Sequence, residues 1–344
     1  MSSDGGIRAR DVRRAFGQVK AVDGVDLVAR PGRVTALVGP NGSGKTTLLL
    51  VLAGLLVPDA GEVTVAGFDP VTQGVEARRR TGWMPDVFGT WDSLTCREVL
   101  TTVAAAYRLP RDVGAARAAE LLTLVHLDEY ADAPAHVLSR GQKQRLGLAR
   151  ALVHDPDVLL LDEPASGLDP RSRVDLRELV RRLAAQGKTV LISSHVLTEL
   201  DEMADDAVFL SRGRTVATRS VTAAAAERRP WRITALDTVA LRAWLAANGY
   251  LPAAGPTSGP RDTLAPDVTG PIAGPATAKD PGEGPDETRG EDPGEGGVLV
   301  DLDGAVAAAA LLRAAVSDGV PVSSIAPAGG VLEQAYLALE EERR

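Results

Sequence analysis

The chain has 344 residues, 44% of them hydrophobic and 24% charged, with a formal net charge of −8; that suits a globular protein of one large domain and one smaller one. Its single cysteine, Cys96, excludes an internal disulfide, and no Cys/His cluster has zinc-ligand spacing, so a reducing cytoplasmic setting is expected. The opening "MSSDGGIRARDVRRAFG" lacks the apolar core of a secretory signal, and the longest apolar run, Leu48 to Val57, is about half the ~20 residues that cross a bilayer. No membrane span is therefore expected within this chain. No large basic patch points to nucleic acid.

In chain order, "RVTALVG" reads as a buried strand that feeds a glycine-rich loop and then a helix from Thr46 onward. Residues 95 to 155 carry no comparable strand run, which predicts an inserted helical subdomain over about 86–155. "DVLLLDEP" and "KTVLISSH" are further apolar strands, followed by helices over Arg171 to Gln186 and Val196 to Met203. Strands alternating with helices predict an α/β domain over 1–220 with a largely parallel sheet.

Beyond Arg229 the order is "WRITAL", a helix through Trp244, "YLPA", a long gap, "GVLVDL", an alanine-rich helix and "VSSIAPA". That is the β-α-β, β-α-β order of a small ferredoxin-like α+β domain over 230–344, ending in the amphipathic "GGVLEQAYLALEEERR". The gap, 252–297, holds 9 Pro and 10 Gly, with 9 acids against 3 bases, and is expected to be a disordered insertion between two strands. It accounts for most of the chain's net charge.

Two stretches carry the chemistry. "GPNGSGKT", residues 39–46, satisfies G-x-x-x-x-G-K-[ST] between a strand and a helix, the phosphate-binding loop of a nucleoside triphosphate site. Bare glycines let backbone N–H groups converge on phosphate oxygens, and the helix N-terminus adds partial positive charge. Gly39, Pro40, Asn41, Gly42, Ser43, Gly44, Lys45, Thr46 and Thr47 are thus expected to bind nucleotide, with Lys45 on the β and γ phosphates and the Thr46 hydroxyl on Mg²⁺. In "VLLLDEP" an apolar strand ends in Asp162 and Glu163, which brings both to the sheet edge where α/β ligands bind. Asp162 suits the Mg²⁺ shell, and Glu163 suits the water that attacks the γ-phosphate.

With these, "LSRGQKQRLGLARAL", residues 138–152, resembles the signature of the ATP-binding cassette (ABC) family; the resemblance spans about residues 7 to 219. It implies a P-loop NTPase cassette that works as a dimer, ATP lying between the loop of one subunit and Ser139, Gly141 and Gln142 of the other. It also implies that Phe16 stacks on adenine, that Asp169 in "SGLD" sits in the loop that communicates across the dimer, and that His195 in "ISSH" is the γ-phosphate switch. His126, His136 and His154 are read as structural. The sequence departs from the family twice. Asp86, in "GWMPDVFG", stands where the family usually has a glutamine that reaches Mg²⁺ and water, and Arg140 replaces the first signature glycine.

The resemblance implies an ATPase that powers a separate integral-membrane permease, whose coupling helix meets the region from Asp86 to Val99. The ending "VLEQAYLAL" looks like that of ABC-2-type exporter ATPases of the daunorubicin-resistance group, which implies export of a drug-like or lipid-like compound. A soluble ABC ATPase acting on ribosomes or DNA is the alternative. Ribosome-acting members generally hold two cassettes, whereas one phosphate loop is found here.

Overall fold

The computed structural model describes residues 5–87, 89, 93–251 and 297–341. The described residues form two compact units, one within 5–225 with 330–341 and the other within 226–251 with 297–329. The expected disordered insertion lies outside the described residues, apart from Gly297.

The first unit opens with β1 (Ile7–Phe16) and β2 (Val19–Ala29), then β3 (Val34–Val38), α1 (Lys45–Leu52), β4 (Ala60–Val65), α2 (Gly74–Arg80) and β5 (Thr81–Met84). Helices α3 (Cys96–Ala106), α4 (Arg111–Leu124) and α5 (Arg140–Leu152) follow, with no named strand among the described residues between β5 and β6 (Val158–Asp162). The unit continues through α6 (Pro170–Ala185), β7 (Thr189–Ser194), α7 (Leu197–Met203), β8 (Asp206–Ser211), β9 (Arg214–Ser220) and α8 (Val221–Ala226).

Six strands form one sheet in the order β5-β6-β7-β3-β8-β9. All neighbours are parallel except β8 and β9. Every residue of β3, β6 and β7 is buried, as expected for parallel strands covered on both faces. Alternation along the strands sorts their side chains between two cores. Leu159, Leu161, Val190 and Ile192 face the core shared with the helices, whereas Val158, Leu160 and Leu191 face the core shared with α1 and the amino-terminal strands.

Those amino-terminal strands make a second, antiparallel sheet in the order β2-β1-β4, which the apolar-run pattern does not reveal. Strand β1 buries only Ile7, Ala9 and Val12, and its register with β2 shifts between Ala9 and Val12, where Asp11 has φ 45°. The kink interrupts the simple alternation that marks a half-buried strand.

The second unit holds β10 (Arg228–Ala235), α9 (Thr238–Ala247), β11 (Val298–Asp303), α10 (Gly304–Ser317) and β12 (Val322–Pro327). Its sheet is antiparallel in the order β11-β10-β12. One core collects Trp231, Ile233, Leu241, Leu245, Val300 and Leu311. Of the expected strand "YLPA", Tyr250 and Leu251 are not in a strand, and Pro252 and Ala253 lie outside the described residues.

Helix α11 (Val331–Glu341) corrects the boundary expected at the carboxyl end. The sequence pattern places it in the 230–344 domain, but it belongs to the first unit, where it packs on α7. Leu332 is fully buried in the core that holds Leu200 and Met203. Burying that side chain stabilises the arrangement by roughly 1.5–3 kcal/mol.

Candidate functional site

Strands β3, β7 and β6 are adjacent and parallel, so their carboxyl ends meet at one edge. Val38 pairs with Ser194, and Asp162 with Ser193. The loop 39–44 leaves β3 there, Glu163 leaves β6, and His195 leaves β7. Asp86 follows β5, in which Met84 pairs with Leu161, and so reaches the same edge.

The loop is shaped by backbone that only glycine adopts freely. Gly42 and Gly44 have φ 78° and 100°, and a Cβ on Gly44 would overlap the Ala21 carbonyl oxygen. The loop is also braced by the turn between β8 and β9: the Gly213 N–H donates to Ser43 O at 3.0 Å, and the Asp23 N–H to Gly213 O at 2.7 Å. Gly44 is the N-cap of α1 and offers no capping side chain. The first turn of that helix therefore has N–H groups for an anion.

Lys45, 7% exposed, donates from Nζ to the carbonyl oxygens of Gly39 at 2.7 Å and Pro40 at 3.2 Å. Burial pushes its pKa below the ordinary lysine value, while Glu163 and Asp162 pull it back up. The Ser43 hydroxyl is buried in the same loop without a hydrogen-bond partner. A buried, unpartnered donor inside a loop of convergent N–H groups fits phosphate oxygens.

The Asp162 carboxylate is 1% exposed, and its described hydrogen bonds come only from hydroxyls. Thr46 Oγ1 donates to Oδ2 at 2.9 Å, and Ser193 Oγ to Oδ1 at 2.5 Å. No group of three or more His, Cys, Asp or Glu side chains suited to a metal occurs among the described residues. One carboxylate and one hydroxyl instead match Mg²⁺, which keeps waters and takes phosphate oxygens for the rest of its shell.

Glu163 sits at φ 50°, a left-handed conformation costly for a side chain with Cβ. Its N–H donates to Ser193 O at 3.2 Å and Ser193 Oγ at 3.1 Å, which holds the backbone in that turn. Its carboxylate lies 2.8 Å from His195 Nδ1 and accepts from the His195 N–H at 3.4 Å. The Glu163 side chain is 15% exposed and the imidazole 58%, so the acid sits inside with the histidine at the mouth.

The structure thus brings Gly39, Ser43, Lys45, Thr46, Asp162, Glu163 and His195 to one edge. Ser193 joins Asp162 to Glu163 and is the residue that sequence reasoning missed; its only signal is its place in "ISSH". Pro40 joins the cluster through its carbonyl, whereas the described hydrogen bonds do not tie Phe16, Asp86, Ser139, Gly141 or Gln142 to it. Phe16, 50% exposed, ends β1 with the Arg14 guanidinium 5.0 Å from its ring centre. The Asp86 side chain is exposed, and its backbone carbonyl accepts from Gln144 Nε2 at 2.9 Å.

Ser139 caps α5 through a reciprocal bond pair. Its hydroxyl accepts from the Gln142 N–H, while its own N–H donates to Gln142 Oε1. Arg140 Nη2 donates to Ser166 Oγ at 2.6 Å, and Gly141 lies against the Gly167 carbonyl. Asp169 caps α6, accepting from the Ser172 N–H at 3.0 Å and Oγ at 2.6 Å, and these bonds hold its pKa below the usual carboxylate value. The signature and the "SGLD" loop therefore adjoin within one chain.

Residues 22–166 match the ABC transporter family. Nod factor export ATP-binding protein I of Burkholderia orbicola is 39% identical over 208 residues, 60% of this chain and 68% of its own length. The ABC transporter ATP-binding protein NatA of Bacillus subtilis is 37% identical over 199 residues, 58% of this chain and 81% of its own. A solved ATP-binding subunit of an ABC transporter aligns with TM-score 0.60 and 27% identity, covering 64% of this chain and 91% of that one. A dimeric cassette in a post-hydrolysis state, bound to ADP and Pi, aligns with TM-score 0.58 and 26% identity over 62% and 98%. A 39%-identical relative matched over two thirds of its own length establishes kinship as well as fold: the chain belongs to the ATP-binding subunits of ABC transporters, which are ATPases.

Proposed function

We propose that the chain binds and hydrolyses Mg·ATP as the motor of an exporter whose integral-membrane permease is a separate polypeptide, carrying a drug-like or lipid-like compound. The observation that carries the site assignment is the Glu163–His195 pair at the edge where Lys45, Thr46 and Asp162 converge. Lys45 exchanges its carbonyl partners for the β and γ phosphates. Thr46 and Asp162 would hold Mg²⁺, which would neutralise phosphate charge. Glu163 accepts a proton from the attacking water or orients it, and His195 bonds the γ-phosphate while keeping Glu163 in place. Phe16 offers an exposed ring for adenine, and Asp86, which follows β5 at the same edge, would bind Mg²⁺ directly or through water.

The other half of the site comes from a second cassette, a copy of this chain. Ser139, Gly141 and Gln142 open α5 at its exposed end, suited to meet the γ-phosphate bound by the opposite subunit. Because ATP contacts both subunits only when they close, it binds the closed state better and drives closure. Hydrolysis then reopens the dimer.

Among the described residues, no helix is long and apolar enough to cross a membrane, in keeping with a permease on another chain. Similarity to proteins named for Nod factor export supports the direction. A cleft of about 330 Å³, lined by Arg78 and Arg79 of α2 and by Tyr107 and Arg108 after α3, suits an acidic cytoplasmic loop of the permease. The test is co-expression with the membrane protein encoded beside this gene. Recovery of the chain in membranes only with that partner is the expected result; co-sedimentation with ribosomes in its place overturns the reading.

A further inference from the structure

Helix α11 has no capping side chain of its own. Its first intrahelical bond, from the Gln334 N–H to Gly330 O at 3.1 Å, makes Gly330 the N-cap residue, a position where Ser, Thr, Asp or Asn supplies the missing acceptor. Here the acceptor comes from another helix. Asp201 on α7 takes the Leu332 N–H on Oδ1 at 2.8 Å. A Cβ at residue 330 would overlap the Asp201 carboxylate, so the bare glycine is what admits it.

Only Val196 separates His195 from the first residue of α7. With its imidazole 58% exposed, His195 has little side-chain packing to hold it. Beyond its contact with Glu163, its position comes from the backbone on either side: β7, fully buried, and α7. Helix α7 is held in turn by β3 and β7, on which it packs, and by two helices. On α6, Arg173 lies 3.2 Å from Glu199, whose side chain is 12% exposed, and Arg177 pairs with Glu202; the second pair, toward solvent, holds weakly. On α11, the Asp201 cap acts together with Leu332, which is fully buried in one core with Leu200 and Met203.

We propose that α11 is the brace of α7, and that Asp201 is a positioning residue which, through α7, sets His195 against Glu163. The proposal rests on the roles given above to His195 and Glu163. Its consequence is that a helix far along the sequence from every nucleotide motif tunes the rate of hydrolysis.

The test is a double-mutant cycle in the full-length chain, reading ATPase kcat, ATP KM and the melting temperature. Asp201→Ala is expected to lower kcat by about fivefold, the scale of one lost cap, with ATP KM unchanged. Asp201→Asn, which keeps a cap oxygen, is expected to restore kcat. In a His195→Ala background, Asp201→Ala is expected to cause no further loss, because the side chain it positions is gone. An unchanged kcat, or an equal loss in both backgrounds, overturns the proposal, whatever happens to the melting temperature. If His195→Ala alone leaves kcat at the wild-type value, the site reading fails and the brace falls with it. Should Asp201→Ala not fold, Asp201→Ser, with an oxygen on a shorter arm, runs through the same cycle.

Discussion

Ser193 Oγ donates to Asp162 at 2.5 Å and accepts from the Glu163 N–H at 3.1 Å, so one hydroxyl couples two carboxylate residues proposed to have different tasks. Asp162 is left facing Thr46, and Glu163 faces His195. The division follows from register, since Asp162 and Ser193 are partners across β6 and β7.

The first expected outcome concerns that coupling. Ser193→Ala removes a donor from a carboxylate that is 1% exposed, and an unmet buried group costs about 1–3 kcal/mol. The Mg²⁺ concentration giving half-maximal ATPase should rise by about tenfold, the lower end for loss of a partner to a metal ligand. The melting temperature should fall as well. A Mg²⁺ titration at saturating ATP checks the claim, and an unchanged midpoint removes Ser193 from the role.

Glu163→Gln keeps the shape of the side chain and removes its basicity. Hydrolysis should slow by about 10² to 10⁴, the range for loss of a general base, while nucleotide binding persists. The ATP-bound dimer should accumulate and be visible by light scattering at saturating Mg·ATP. A variant that turns over at the wild-type rate excludes Glu163 as the base. One that stays a single subunit with ATP, with and without its permease, removes the dimer on which the mechanism depends.

How much of this is legible in the sequence depends on where each residue stands. Asp162 and Glu163 can be found because an apolar run ends in them, Lys45 because a glycine-rich motif follows a strand, and His195 because the family resemblance carries it. Ser193 cannot, since its importance comes from a partner 31 residues away that only register brings near. The amino-terminal sheet is hidden by arginines at exposed positions of β1 and by the kink at Asp11. The spacing in "VLEQAYLAL" reveals that α11 has an apolar face but not which core that face joins, and Asp201 lies too far back to be recognised as its cap.

His154 predicts a pH dependence of stability unrelated to the nucleotide. Its ring stacks on Tyr107 with centroids 3.7 Å apart, and Nε2 donates to Thr81 O at 3.1 Å. Nδ1 is buried without a partner, so a second ring proton would have no acceptor. Burial lowers the pKa from 6.5 to about 4, with Asp155 opposing the shift and Lys188 adding to it. Above pH 6.5 the histidine is neutral whether the chain is folded or not, and this contribution is at its full value. As pH falls from 6.5 toward 4 the unfolded chain takes up a proton that the folded chain refuses, and stability is lost, on the order of 2 kcal/mol. His154→Phe, which retains a ring for the stack, should flatten the fall in melting temperature between pH 7.5 and 5. An identical slope in the variant assigns the loss to other groups.

Arg140 gives the last prediction, because its place in the structure separates two ways it can act. The guanidinium donates to Ser166 Oγ at 2.6 Å, with its stem against Gly167, so it ties the signature to the "SGLD" loop of its own chain. If the tie matters for closure, Arg140→Ala and Ser166→Ala should each lower the fraction of ATP-bound dimer in the Glu163→Gln background. The effect should be about two- to fivefold, the scale of one ordinary hydrogen bond of about 0.5–1 kcal/mol. The double variant should then be no worse than either single one, since both remove the same bond. If Arg140 instead leaves Ser166 to meet the opposite subunit's γ-phosphate, Ser166→Ala should release it and raise the dimer fraction while Arg140→Ala lowers it. Effects of equal sign that do not add support the tie within one chain; effects of opposite sign overturn it.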